Sequence, residues 1–101
     1  MDPLIIRDKF PTPVKHNDVV SNWKSRGYGC HTFSDPPDRV WNDFVHQTNE
    51  LVTVVDGQLE LTIGNQTVFI QPGDEIFIPR GATHSVRNCS NTKTSWLFGY
   101  D

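Results

Sequence analysis

The sequence predicts an all-β domain, an antiparallel barrel or sandwich of about eight short strands behind one short N-terminal helix. Three observations carry the expectation. From Tyr28 onward, apolar and polar residues alternate with the period of two that a half-buried strand requires. Turn formers recur between these segments as Asp56-Gly57, Gly64-Asn65 and Gln71-Pro72-Gly73. The chain, at 101 residues, has the length of one domain with a single hydrophobic core.

The elements follow in order. Pro3, Pro11 and Pro13 make residues 1–15 an extended arm. In "HNDVVSNWKSRG", Asn17 or Asp18 can cap, Val19, Val20 and Trp23 share a stripe, and Gly27 can stop a helix near 17–26. The division is thus an arm and helix at 1–27 and a β domain at 28–101. "YGCHTFS" alternates, whereas "SDPPD" cannot join a ladder. "VWNDFVHQ" and "LVTVV" follow, and Asp56-Gly57 predicts a tight hairpin with positive φ at both central positions. "QLELTI" sets Leu59, Leu61 and Ile63 on one face, and Gly64-Asn65 predicts a second hairpin into "QTVFI". Gln71-Pro72-Gly73 suits a type II turn, after which "DEIFIP", "HSVRN" and "SWLFGY" complete the strands. "LVTVV" and "WLFGY" are apolar on both faces, so an outer face is expected to be covered by the N-terminal helix or in a homodimer.

Composition narrows the function. Nine basic and twelve acidic residues give a net charge of −3, with no basic block, which argues against nucleic acid and against an electrostatic membrane partner. "MDPLIIRDKF" has too short an apolar run for a signal peptide or a spanning helix, so a cytoplasmic protein is expected. Cys30 and Cys89 form neither a disulfide framework nor a CxxC pair. The glycosylation patterns at Asn65 and Asn88 are read as chance.

Candidate chemistry lies in the β region. Phe44 and His46 share one strand face, as do His84 and Val86, and Glu50 follows His46 by four residues. Two imidazoles and one carboxylate are the donor set of a non-haem iron facial triad, and suit Zn, Mn, Ni or Co as well. On spacing alone the plainer alternative stays open, because a lone histidine at a strand start is more often a satisfied polar residue than a ligand. His16 and His31 read as surface or packing residues, with His31 a replacement ligand at best, and Cys30 as small packing. Trp41, Phe69, Phe77, Trp96, Phe98 and Tyr100 read as core or dimer interface.

Residues 73–88, "GDEIFIPRGATHSVRN", resemble the second motif of the cupin superfamily, with Gly73, Pro79, Gly81, His84 and Asn88 all in place. His46, Glu50 and Gly57 fit the second histidine, the glutamate and the closing glycine of the first motif. Phe44 stands where that motif has its first histidine, and the leading glycine is absent. More narrowly, "WNDFVH" followed by "EL", and the ending "WLFGY", resemble small stand-alone cupins.

The resemblance implies an RmlC-like cupin barrel, or jelly roll. It also implies a divalent metal (Fe, Zn, Mn or Ni) held by His46, Glu50 and His84, with a small-molecule ligand in the barrel. Three functions stay open: metal-dependent oxygenase, isomerase or lyase chemistry; a non-catalytic ligand-binding module; and a metal-free epimerase with His46 or His84 as base and a tyrosine as acid.

Overall fold

The computed structural model describes residues 4–101. Its strands are β1 (Ile5–Ile6), β2 (His31–Asp35), β3 (Val40–Phe44), β4 (Glu50–Asp56), β5 (Leu59–Ile63), β6 (Gln66–Ile70), β7 (Glu75–Ile78), β8 (His84–Asn88) and β9 (Thr94–Tyr100). The helix α1 spans His16–Ser25. Two sheets form, ordered β1-β7-β4-β9-β2 and β3-β8-β5-β6, and neighbouring strands run antiparallel. No helix among the described residues is long and apolar enough to cross a membrane.

The core sits between the sheets. Val52, Val54, Ile76, Ile78 and Trp96 of the first sheet meet Leu59, Leu61, Ile63, Ile70 and Val86 of the second. In β5 and β8 burial alternates residue by residue, as period-two patterning demands when one face meets the core.

The first sheet also has an apolar outer face, and the N-terminal segment covers it. Leu51 and Leu97 pack there against Phe10, Val14, Val19 and Trp23. A buried carboxylate fixes the helix in place: Glu75 Oε1 accepts from Trp23 Nε1 at 2.8 Å, and Arg26 donates to both Glu75 oxygens at 2.9 Å. The coverage expected for "LVTVV" is thus supplied within one chain for Leu51, with Val55 packed partly buried beside the same cluster.

Four details differ from the sequence expectations. The arm carries a strand, β1, in which Ile5 pairs with Ile76; two residues are too few to show a period, and the pairing is anchored by Asp74, which accepts from Arg7 at 2.8 Å and from the Asp8 backbone at 3.0 Å. The helix begins earlier, with Lys15 at its N-cap and no side-chain cap bond, so Asn17 and Asp18 lie inside its first turn. Asp56-Gly57 is not a hairpin, because β4 pairs with β7 and β9 while β5 pairs with β6 and β8. Only Gly57 (φ +101°) has positive φ there, and the bend carries the chain from one sheet to the other. Finally, β3 ends at Phe44, which leaves His46 on a loop. By contrast, Gln71-Pro72-Gly73 has the signature of the type II turn, with Gly73 at φ +93° and Asp74 N–H donating to the Gln71 carbonyl at 3.0 Å.

Candidate metal centre and its cavity

Strand register brings Glu50 and His84 to one end of the barrel, and the loop after β3 adds His46. Glu50 opens β4 opposite Tyr100 of β9, and His84 opens β8 opposite Phe44 of β3. A register shift between Trp41 and Phe44 precedes that pairing, with Asp43 at φ +57° and its N–H donating to Ser85 Oγ at 3.1 Å.

His46 is held by the turn that precedes His84. Gly81 N–H donates to the His46 carbonyl at 2.9 Å, from a backbone with φ +79° that favours glycine. Arg80 N–H donates to Asn49 Oδ1 at 2.9 Å, and Asn49 Nδ2 donates to Asp101 at 2.9 Å. The Pro79-Arg80-Gly81 break between strands is therefore a strut for the loop carrying the other imidazole.

His46, Glu50 and His84 each offer one donor atom within 4.8 Å of the others. His84 Nε2 stands 3.4 Å from Glu50 Oε1, and His46 Nε2 stands 3.6 Å from the same oxygen. Two donors about 2.1 Å from one ion, at tetrahedral or octahedral angles, lie about 3.0–3.5 Å apart; the His84–Glu50 spacing falls in that range and the His46–Glu50 spacing just outside it. Two further observations fit a shared cation. Glu50 Oε1 is buried without a hydrogen-bond partner, an expensive state for a carboxylate oxygen that a cation would relieve. His84 Nδ1 lies 3.2 Å from the Ala82 carbonyl, which can only accept, so the proton belongs on Nδ1 and Nε2 keeps its lone pair on the Glu50 side.

In the absence of a cation the electrostatics favour a proton on His84, which metal binding must displace. Burial lowers the His84 pKa, but the adjacent Glu50 carboxylate and the Ala82 carbonyl outweigh it, and the net direction is upward. Burial, with the Glu50 charge added, pushes the Tyr100 phenol up and keeps it protonated.

Beside the cluster lies a cavity of about 170 Å³ whose walls include Trp41, Phe44, Trp96, Phe98 and Tyr100. Phe44 stacks on His46 (centroids 6.0 Å apart, planes at 12°) and sits 6.0 Å from the His84 ring, as the parity of the two residues predicts. Trp96 belongs to the core, with Trp41 and Phe98 packed against it, as the sequence predicts, and these residues with Tyr100 also wall the cavity. Their parity on β9 gave a signal, since Trp96, Phe98 and Tyr100 alternate with Leu97 and Gly99. The remaining histidines stay apart from the cluster: His16 is exposed on α1, and His31 is exposed with its ring 5.4 Å from Phe98. Cys30 packs partly buried beside the outer cluster, as a small packing residue.

Comparison with known proteins agrees with this architecture. A conserved protein of unknown function from Streptococcus pyogenes is similar in structure, with a TM-score of 0.67 and 22% identity over 72% of this chain. A cupin 2 domain-containing protein from Halorhodospira halophila gives 0.68 and 20% over 73% of the chain, and an RmlC-like cupin from Shewanella frigidimarina 0.65 and 14% over 72%. This chain covers 62%, 52% and 64% of those three proteins' own lengths, and at such identities the likeness concerns the fold. No curated protein matches the chain. The family model described as "Cupin domain" matches residues 32–100, from β2 to the end of β9 and across the whole His46–Glu50–His84 cluster, and the chain belongs to that family.

Proposed function

We propose that this cupin binds a divalent metal ion through His46, Glu50 and His84, and binds or acts on a small molecule in the adjoining cavity. One observation carries the reading: a buried Glu50 oxygen with no hydrogen-bond partner stands 3.4 and 3.6 Å from two imidazole nitrogens. Two nitrogens and one oxygen suit Fe, Zn, Mn or Ni, and three protein ligands leave positions for water or ligand. When bound, the ion supplies Lewis-acid polarisation of an oxygen that reaches it. The chain supplies the rest: Ala82 orients the His84 ring, Phe44 walls the cluster, and the protonated Tyr100 phenol is a donor at the cavity edge.

Elemental analysis of protein purified without added metal tests the reading. Wild type is expected to hold one ion per chain and His84→Ala none, because two remaining ligands hold a divalent ion poorly. Wild type that carries no stoichiometric metal, and gains none on dialysis against Zn, Mn, Ni or Fe, refutes it.

A homodimer is part of the same proposal. Phe33 and Val40 are exposed on β2 and β3, and Phe69 on β6, all three strands at sheet edges. Light scattering that shows only a monomer at micromolar concentration removes it. The free thiols Cys30 and Cys89 suit a reducing cytoplasm.

A further inference from the structure

The cavity wall has an organisation that the metal cluster does not require. Phe33 meets Trp41 edge-on at 5.8 Å between centroids, and Trp41 meets Phe44 at 5.9 Å. Phe44 stacks on His46 at 6.0 Å, and His46 meets Tyr100 at 5.0 Å. The circuit continues from Tyr100 to Phe98 at 5.8 Å and from Phe98 to Trp96 at 5.5 Å, and closes from Trp96 to Phe33 at 5.7 Å. Seven rings, each lining the same cavity, thus make a continuous collar.

Polar atoms are few in this wall, and they are placed unevenly. The metal cluster enters the collar at His46. Trp96 lies across the circuit, three ring contacts from His46 on one side and four on the other. Its Nε1–H is buried with no hydrogen-bond partner among the described residues. The other indole in the collar is already satisfied, because Trp41 Nε1 donates to Asp35 at 3.1 Å. No lysine or arginine lines the cavity.

We propose that the ligand is a single-ring aromatic carboxylate, its carboxylate at the His46–Glu50–His84 cluster and its ring inside the collar. The inference rests on the metal reading above. Size supports it, since an apolar cavity of about 150 Å³ holds one benzene ring and this one measures about 170 Å³. Wall chemistry supports it too: offset and edge-on ring contacts favour a flat π-system, whereas a sugar acid brings hydroxyls that this wall leaves unpaired. Charge gives the third argument. A divalent ion beside a single carboxylate leaves one positive charge in an apolar chamber, and a monoanion neutralises it.

The test uses the full chain loaded with zinc, its metal content read first by elemental analysis, then titrated calorimetrically. Benzoate is expected to bind about tenfold or more tighter than acetate or glycerate. Phe33→Leu, at an exposed collar position, is expected to weaken benzoate and leave acetate unchanged. Zinc retained at one per chain, with acetate or glycerate binding as tightly as benzoate, overturns the ligand class and leaves the metal reading standing. Tetramethylammonium binding to metal-free protein, with no benzoate binding to the loaded form, also overturns it, in favour of an aromatic cage for cations closed by Glu50. Loss of zinc itself removes both readings, and the elemental analysis identifies that case before any titration.

Discussion

Replacing Glu75 with Ala strands two donors that face it from the helix. Trp23 is fully buried, and its Nε1–H loses its acceptor at 2.8 Å, which costs about 1–3 kcal/mol for an unsatisfied buried donor. Arg26 loses two contacts of 2.9 Å, but its side chain is 35% exposed and rehydrates, so this part is worth about 1 kcal/mol. Together these give a loss of about 2–4 kcal/mol, and at about 4–8 °C per kcal/mol the melting temperature falls by roughly 8–32 °C. Glu75→Gln keeps an acceptor for Trp23 and loses only the charge, so it is expected to cost about 1 kcal/mol. Urea titration of both variants measures the difference, and hydrogen exchange should show α1 losing protection first. A Glu75→Ala variant within about 0.5 kcal/mol of Glu75→Gln refutes the argument, because the stranded indole would then cost nothing.

Gly57→Ala meets positive φ and a Cβ collision with Thr94, and is expected to cost about 2–4 kcal/mol in urea titration; a change below about 0.5 kcal/mol contradicts the close approach. Phe44→His adds a nitrogen donor beside His46 and His84 and is expected to tighten metal retention about tenfold or more in chelator competition; unchanged retention means that position 44 does not face the ion. Protonation gives opposite pH trends with and without metal. His84 has a raised pKa in the folded chain, so its contribution to metal-free stability is full below about 6.5 and is lost as pH rises through the folded value. Metal needs the imidazole unprotonated, so loaded protein is expected to gain stability over the same range, and parallel pH profiles of the two forms contradict a shared site.

Period two is clearest where a strand has one face on the core and the other half exposed. In β5 and β8 the buried and half-buried residues alternate without a break. The same signal failed where partners are distant. Asp56-Gly57 supplies the positive φ of a hairpin, yet an inter-sheet crossing needs that conformation equally, and only the long-range pairing of β4 with β9 decides between them. β1 gave no signal because two residues have no period. At the site, spacing offered His46, Glu50 and His84 only as candidates and the cupin motifs selected them, whereas the collar was hidden because an inward aromatic residue looks the same in sequence whether it fills the barrel or walls a hollow. Asn88 illustrates the converse: its glycosylation pattern is chance, since the side chain is wholly buried and donates to the carbonyls of Asp35, Pro36 and Thr92.

Phe44 ties the two halves of the site together. It stands where the first cupin motif has its first histidine, so the cluster has one candidate protein donor fewer than that motif. The same ring joins Trp41 to His46 in the collar and lies 6.0 Å from His84. An imidazole at this position that did not reach an ion would bring nitrogens to a wall where the Trp41 indole is already committed to Asp35, and an unpaired buried nitrogen costs about 1–3 kcal/mol. Phenylalanine carries no such cost and completes the aromatic circuit. In the proposed metal-bound form, one protein donor fewer would leave one more coordination position for a ligand. On the proposed metal reading, phenylalanine at position 44 both removes a protein donor and closes the wall, so coordination would pass from the chain to whatever molecule the collar admits.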